Sequence, residues 1–230
     1  MLTIDILTLF PEMFEGPFDA SIIKRARENK LVDINLHNLR DWATDKYKSV
    51  DDRPYGGGPG MVMRVDIIDR ALSTLKSKQN KSIIDHQSLT ILLSAKGRTF
   101  NQKRAQEFSK LDHLILVAGH YEGVDERVAK YFVDEEISIG NYVLSGGEIP
   151  IMAIVDATVR LIPEALGNPD SLNEESHSSM KIENSKIENF LEYPQYTRPE
   201  IYKGKKVPKV LFSGNHKEIK KWKDKNSKKD

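Results

Sequence analysis

The stretch of sequence that decides the fold is Ala118-Gly119-His120-Tyr121-Glu122-Gly123, followed by Ser138-Ile139-Gly140-Asn141-Tyr142-Val143-Leu144-Ser145-Gly146-Gly147-Glu148-Ile149-Pro150. The apolar run 114–118 predicts a buried strand that ends at Gly119, and a second short strand, 136–139, ends at Gly140. Glycines after two strand ends are typical of a ligand site at the carboxyl edge of an α/β sheet, because backbone groups can then face the ligand directly. A single glycine more often marks an ordinary turn, but this cluster favours the ligand site.

Predicted strands and helices alternate along the rest of the first 167 residues, which indicates an α/β fold with a parallel sheet. The predicted strands are 2–9, 32–36, 90–93, 114–118 and 136–139. The predicted helices are 22–27, 65–75, 102–109 and 147–161.

A long loop rich in Asp, Gly and Pro is predicted over residues 41–60, and loops of this length usually have a function or lack order. Its run Gly56-Gly57-Gly58-Pro59-Gly60 is not followed by Lys-Ser/Thr. That absence argues against a nucleoside-triphosphate-binding loop, and therefore against a nucleotide hydrolase.

Composition narrows the class of protein. The chain has 230 residues, a net charge of +1 and no cysteine, so it has neither disulfides nor thiolate metal sites. The apolar runs are only as long as strands, and residues 1–8 do not read as a secretory signal. We therefore expect a cytoplasmic protein without a membrane-spanning segment.

Charge and composition also divide the chain. From Lys203 to Asp230 there are eleven lysines and three acidic residues, a net charge of +8, so the remainder is acidic. A basic terminal segment suggests a polyanionic partner, although lysine-rich ends are often only solvated. Residues 168–192, rich in Ser, Asn and Glu, predict a flexible linker. The predicted organisation is a domain over 1–167, this linker, and a small helical domain over 193–230.

A resemblance to a known family rests on the two glycine-rich blocks quoted above and on three further blocks. These are Asp51-Asp52-Arg53-Pro54-Tyr55-Gly56-Gly57-Gly58-Pro59-Gly60-Met61, Glu192-Tyr193-Pro194-Gln195-Tyr196-Thr197-Arg198-Pro199 and Leu211-Phe212-Ser213-Gly214-Asn215-His216. They resemble the TrmD family of bacterial tRNA (guanine-N1)-methyltransferases, which belong to the SPOUT class. The resemblance extends from Leu2 to about Trp222. It implies a trefoil-knotted parallel-sheet domain, S-adenosylmethionine as methyl donor, tRNA as substrate and a homodimer.

S-adenosylmethionine suits the glycine-rich loops because it has no phosphate and the loops contain no basic residue. The resemblance places its site on three loops. The implied cofactor-binding residues are Leu93, Ser94, Ala95, Gly119, Tyr121, Glu122, Gly123, Ser138, Ile139, Gly140, Asn141, Tyr142, Val143, Leu144, Gly146, Gly147 and Pro150. The resemblance also implies dependence on Mg²⁺, but no spacing of His, Asp and Glu identifies a metal site.

Methylation of guanine N1 requires a base for the N1 proton and a donor for the negative charge that grows on O6. The resemblance assigns the donor to Arg160, which from spacing alone reads as a surface residue at a helix end. It assigns the base to Glu175, where the family has aspartate. Glu174, Asp170 and His177 are the alternatives for the base.

Two other functions remain open. The glutamate at position 175 motivates a non-catalytic RNA-binding protein on the same scaffold. A methyltransferase of the same class with another RNA target, or one that acts on a ribose 2′-hydroxyl, is the second alternative.

Overall fold

The structure is a computed structural model that describes residues 1–78, 87–168, 175–177, 180–182, 185–187 and 190–229. The chain divides into two compact units, Met1–Gly167 and Asn168–Asp230. Among the described residues, no helix is both long and apolar enough to cross a lipid bilayer.

Strands and helices alternate in the first unit as the sequence predicts. In chain order its elements are β1 (Leu2–Thr8), α1 (Ser21–Glu28), β2 (Val32–Asn38), β3 (Asp51–Asp52), β4 (Val62–Met63), α2 (Val65–Lys78), β5 (Ser88–Thr99), α3 (Gln102–Phe108), β6 (His113–Ala118), α4 (Glu126–Tyr131), β7 (Glu135–Ser138) and α5 (Glu148–Val159). Short 3-10 helices cover Pro11–Phe14 and Leu39–Trp42.

A five-stranded sheet in the order β2-β1-β6-β5-β7 forms the centre of this unit, and every neighbouring pair is parallel. The predicted α/β fold with a parallel sheet is confirmed. The central strand β6 is buried along its whole length, which explains its uninterrupted apolar run. Helices α1, α3 and α5 pack on one face of the sheet, and α2 and α4 pack on the other.

Strand β5 is longer than the sequence predicts. The prediction ended it at Leu93 because a polar, glycine-containing segment follows, but the strand continues to Thr99. Its pairing with β7 shifts between Leu93 and Arg98, so residues 94–97 leave the ladder and form a bulge. A β-carbon on Gly97 would lie 2.6 Å from the backbone of Glu136, so glycine is what allows the bulge to sit against β7.

The sequence did not predict the small strands β3 and β4 or the short helix α4. Strands β3 and β4 form a two-residue antiparallel ladder; β3 lies within the predicted loop 41–60 and β4 just after it. Helix α4 has only six residues, and its periodic signal is therefore weak. Asp125 caps it, because the Asp125 side chain accepts a hydrogen bond from the backbone N–H of Arg127.

The second unit has helix within residues 193–230, where the sequence predicts a small helical domain, and it has short strands, which the sequence did not predict, both there and in the predicted linker. Its elements are β8 (Met180–Ile182), β9 (Ser185–Ile187), β10 (Phe190–Leu191), β11 (Ile201–Tyr202), β12 (Lys205–Lys206), α6 (His216–Asn226), β13 (Lys228–Lys229) and a 3-10 helix at Lys209–Phe212. The short strands pair as β8–β9, β10–β13 and β11–β12, all antiparallel. Ladders of only two or three residues give too little alternation for a sequence pattern to reveal these strands. Much of the predicted linker lies outside the described residues.

An aromatic cluster packs against α6. The rings of Tyr193 and Tyr196 contact Trp222 at centroid distances of 6.4 and 6.2 Å. The ammonium of Lys223 lies 4.4 Å from the centroid of the Tyr193 ring. These contacts connect the Glu192–Pro199 block to the terminal helix within the second unit.

Candidate ligand-binding cleft

A cleft of about 440 Å³ opens where β5, β6 and β7 end. Its walls are the bulge after Leu93, the loop from Gly119 to Val124 and the loop from Ser138 to Gly147. These are the three loops that the sequence predicts, and every predicted cofactor-binding residue except Asn141 lines the cleft. The volume is within the range of small-molecule sites.

The loops approach one another backbone to backbone. The N–H of Gly147 donates to the carbonyl oxygen of Gly119 at 2.8 Å, and His120 forms an antiparallel bridge with Gly146. A β-carbon on Gly147 would lie 2.7 Å from the Cα atom of Ala118, and one on Gly119 would lie 3.2 Å from the carbonyl oxygen of Leu93. Glycine is therefore required at Gly147 because backbone occupies the space of a side chain.

The segment that ends the 41–60 loop lies against the middle loop of the cleft. The backbone N–H of Glu122 donates to the carbonyl oxygen of Met61, and the N–H of Met63 donates to that of Gly123. Gly60 has a φ of +78°, and a β-carbon there would meet the Glu122 side chain at 2.3 Å. The end of the glycine-rich run thus borders the cleft.

A buried carboxylate lies behind the cleft at the amino terminus of α5. Glu148 is 1% exposed, and its Oε1 accepts a hydrogen bond from the hydroxyl of Thr8 at 2.8 Å. Its Oε2 lies 3.8 Å from Nδ1 of His120. The positive end of the helix dipole favours a carboxylate at this position.

Two buried polar atoms of the cleft have no hydrogen-bond partner among the described residues. They are Nδ1 of His120 and Oε1 of Glu136, and both residues line the cleft. The sequence interpretation assigned no role to either of them. The alternation of β7 is the signal that could have identified Glu136, because Ile137 faces the core and Glu136 must face the opposite way.

The sequence interpretation also missed a cation in the cleft wall. Lys96 lines the cleft and forms an ion pair with Glu126. The hydrogen bond that Lys96 donates to Glu126 raises the pKa of Lys96, and the nearby charge of Glu136 adds to that effect. Since Lys96 is paired with a carboxylate, the cleft still favours a ligand without phosphate.

Arg160, the predicted hydrogen-bond donor, does not line this cleft. Arg160 caps the carboxyl end of α5, whereas Gly147 caps the amino end, and twelve helical residues between them span about 18 Å. Glu175 is half-buried in the second unit. Of its alternatives, His177 is exposed with a φ of +64°, and Asp170 and Glu174 lie outside the described residues.

The described residues also do not form a recognisable metal site. Within the described ranges, no group of three or more His, Asp or Glu side chains is arranged to hold a metal ion. Glu122, which lines the cleft, does not belong to any such group in the part of the chain that the structure describes.

A glycine-walled cleft at the carboxyl ends of parallel strands defines an α/β protein that binds a small ligand at the sheet edge. Comparison with known proteins gives the particular family. The profile of the family described as tRNA (Guanine-1)-methyltransferase TrmD matches residues 2–230, and the chain belongs to this family.

Relatives named tRNA (guanine-N(1)-)-methyltransferase align over nearly the whole chain. The protein of Dictyoglomus turgidum is 54% identical over 225 residues, which are 98% of this chain and 84% of the relative. The protein of Carboxydothermus hydrogenoformans is 51% identical over 98% of this chain and 83% of the relative. The protein of Citrifermentans bemidjiense is 50% identical over 96% of this chain and 83% of the relative.

Proposed function

We propose that this protein transfers a methyl group from S-adenosylmethionine to N1 of the guanosine immediately 3′ of the anticodon in tRNA. The observation that carries the proposal is the cleft: three glycine-bearing loops, predicted from the sequence as a cofactor site, surround one space of suitable size. Membership of the TrmD family supports the same reaction.

The residues of the cleft fit S-adenosylmethionine. Backbone groups of the 138–144 loop suit an adenine ring, because adenine pairs with N–H and C=O groups in one plane. Glu122 supplies negative charge for a cationic sulfonium, and Nδ1 of His120 and Oε1 of Glu136, which have no hydrogen-bond partner among the described residues, are further sites for hydrogen bonds. When bound, S-adenosylmethionine supplies an electrophilic methyl group.

Glu175 and Arg160 act on the guanine that accepts the methyl group. The Glu175 carboxylate takes the N1 proton of guanine as N1 becomes the nucleophile. The guanidinium of Arg160 donates a hydrogen bond to O6, where negative charge develops. Glutamate in place of the family's aspartate keeps the carboxylate and adds one methylene.

The second unit is suited to hold tRNA. Helix α6 carries Lys217, Lys220, Lys221, Lys223 and Lys225 on an otherwise polar surface. Lysines clustered on one helix provide contacts to phosphates that do not depend on base sequence. The target guanosine must leave its stack to reach the cleft, as in other enzymes that act on bases.

Two features favour a homodimer. Arg160 lies a helix length from the cleft of its own chain, so an Arg160 that reaches this cleft must come from a second copy. Apolar side chains beside the cleft are exposed in the single chain, among them Val143 at 85% and Ile149 at 53%. A second copy that covers this surface and completes the site explains both features. The proposal also includes a trefoil knot in the first unit and residence in the cytoplasm, where tRNA is found.

Methyl transfer to defined transcripts tests the proposal. We expect purified protein, given isotopically labelled S-adenosylmethionine, to form N1-methylguanosine at the nucleotide 3′ of the anticodon. A transcript with inosine at this position keeps N1 and O6 and should be accepted, whereas adenosine should not. Methylation of the adenosine transcript at that position would favour a different target. Cofactor binding without any methylated product would favour the non-catalytic RNA-binding protein.

A further inference from the structure

The carboxylate of Glu136 is unusual among the acidic groups of the cleft. Glu136 belongs to β7 and lines the cleft, and its Oε1 atom is buried without a hydrogen-bond partner among the described residues. Glu126, which also lines the cleft, is exposed and binds Lys96. Glu148 is buried, but Thr8 donates a hydrogen bond to it.

The neighbouring cations do not satisfy this atom. Lys96 uses its ammonium to bind Glu126. Arg104 binds Glu135 and Glu107, and the alternation of β7 places Glu135 on the opposite face of the sheet from Glu136. The charge of Lys96 lies near Glu136, but no described group gives the Oε1 atom a hydrogen bond, so part of its desolvation penalty is not offset.

Unpaired buried polar atoms are rare in folded proteins, and one that lines a ligand cleft indicates a group that a ligand satisfies. An acidic acceptor selects an O–H or N–H donor and disfavours an anion. The adenosyl ligand of the proposed function offers such donors next to the adenine: the ribose hydroxyls and the α-ammonium of the methionyl portion.

We infer that Oε1 of Glu136 accepts a hydrogen bond from the ribosyl or ammonium part of the cofactor, and that this carboxylate is a cofactor-selecting residue. The inference rests on the proposed function, because it takes S-adenosylmethionine as the occupant of the cleft. Since the ligand-free protein bears the desolvation penalty, Glu136 weakens the fold slightly and strengthens binding.

Calorimetric titration with S-adenosylmethionine, combined with thermal unfolding, tests this double effect. Glu136→Leu should weaken affinity about 10-fold to 100-fold, because it removes a charged hydrogen-bond acceptor. Its midpoint of thermal unfolding without ligand should stay equal to that of the wild type or rise. Glu136→Gln keeps the shape and polarity of the side chain, and serves if the leucine variant does not fold.

Glu135→Gln is the matched control, because it makes the same charge change one residue earlier on the opposite face. It breaks the ion pair with Arg104 and should lower the unfolding midpoint while leaving the affinity within about 2-fold of wild type. Equal affinities of the wild type and both Glu136 variants would overturn the inference. A fall in unfolding midpoint for Glu136→Leu that is as large as for Glu135→Gln would also overturn it, since Glu136 would then be structural.

Binding of a fragment of S-adenosylmethionine identifies which group of the cofactor donates the hydrogen bond to Glu136. 5′-Methylthioadenosine keeps the ribose and lacks the ammonium. If Glu136→Leu weakens both ligands equally, the donor is a ribose hydroxyl, and if it weakens only S-adenosylmethionine, the donor is the ammonium. Failure of the wild-type protein to bind S-adenosylmethionine would refute the proposed function itself. Tight binding by wild type and variants alike refutes only the role of Glu136.

Discussion

The backbone N–H of Gly147 donates to the carbonyl oxygen of Gly119 at 2.8 Å, and this bond joins the start of α5 to the loop after β6. A β-carbon on Gly147 would lie 2.7 Å from Cα and 3.2 Å from the carbonyl carbon of Ala118. The obstructing atoms are backbone atoms of the central strand, so they cannot rotate away. Two of the three cleft loops are thus held together only if position 147 has no side chain.

Gly147→Ala should therefore open the cleft. We expect affinity for S-adenosylmethionine to fall at least 10-fold, because the loops must separate to admit the methyl group. Isothermal titration measures this loss. Gly167→Ala is the control, because a β-carbon at position 167 meets nothing within 4 Å. Equal affinity of the Gly147→Ala variant and the control would contradict the loop contact described above.

Replacement of Glu175 tests the proposed base. Glu175→Gln removes the proton acceptor and keeps the shape of the side chain, so turnover should fall at least 100-fold while cofactor affinity is retained. Single-turnover assays with tRNA transcript and titration with S-adenosylmethionine measure the two quantities. His177→Asn is the comparison variant and should retain turnover. Retained turnover in Glu175→Gln would transfer the role to His177 or Asp170.

The part of the fold that could be predicted from sequence is the part in which buried strands alternate with amphipathic helices. Strands such as β6 are apolar throughout because both faces are covered, and their ends at glycine predicted the loops of the cleft. The continuation of β5 beyond Leu93 could not be predicted, because the bulge at 94–97 depends on the contact of Gly97 with the backbone of β7.

The cleft was predictable where backbone lines it and not where isolated side chains enter it. The glycines marked their loops, but His120 gave no local signal, and the alternation of β7 indicates only which way Glu136 faces, not that its Oε1 atom lacks a hydrogen bond among the described residues. The position of Arg160 relative to the cleft also could not be predicted from the sequence. The end of its helix could be predicted, but its distance from the cleft of its own chain depends on which end of α5 faces the ligand.

Acid should destabilise the hydrogen-bonded cluster of Asp5, His37 and His113, which lies on the sheet outside the cleft. The Nε2 atoms of His37 and His113 each lie 2.6 Å from an oxygen of Asp5. Burial alone would raise the pKa of the Asp5 carboxyl, but hydrogen bonds from His113 and His37 outweigh burial and hold the pKa well below its usual range. The stabilisation is fully present above the unfolded pKa of about 4 and is lost as the pH falls below it.

Asp5→Asn should therefore lower the free energy of unfolding by about 1–3 kcal/mol at neutral pH, since charged hydrogen bonds are lost. Urea denaturation of the wild type and the variant between pH 7 and pH 3 measures the difference. We expect a constant difference above pH 5 and a smaller one below pH 4, because the unfolded wild type then binds a proton that the folded protein does not. A difference that stays constant to pH 3 would show that the carboxyl is not held in its ionised form.

Mixed dimers test whether Arg160 acts on the cleft of a second copy. Arg160→Ala leaves the cleft of its own chain intact, and Gly147→Ala disrupts a cleft while leaving Arg160 intact. At a concentration of S-adenosylmethionine that saturates the intact cleft but not the weakened one, each homodimer should have little activity. If the arginine acts across the dimer, a heterodimer of the two variants contains one site with an intact cleft and an intact Arg160.

This heterodimer, isolated by two different affinity tags, should recover up to about half of the wild-type rate of methyl transfer, because one of its two sites is complete. Titration with S-adenosylmethionine should find one binding site in each heterodimer and identify its intact cleft. If Arg160 served the cleft of its own chain, both sites would carry a defect and the heterodimer would be inactive. Inactivity with one bound cofactor would therefore refute action across the dimer, since it shows that the intact cleft lacks a working arginine.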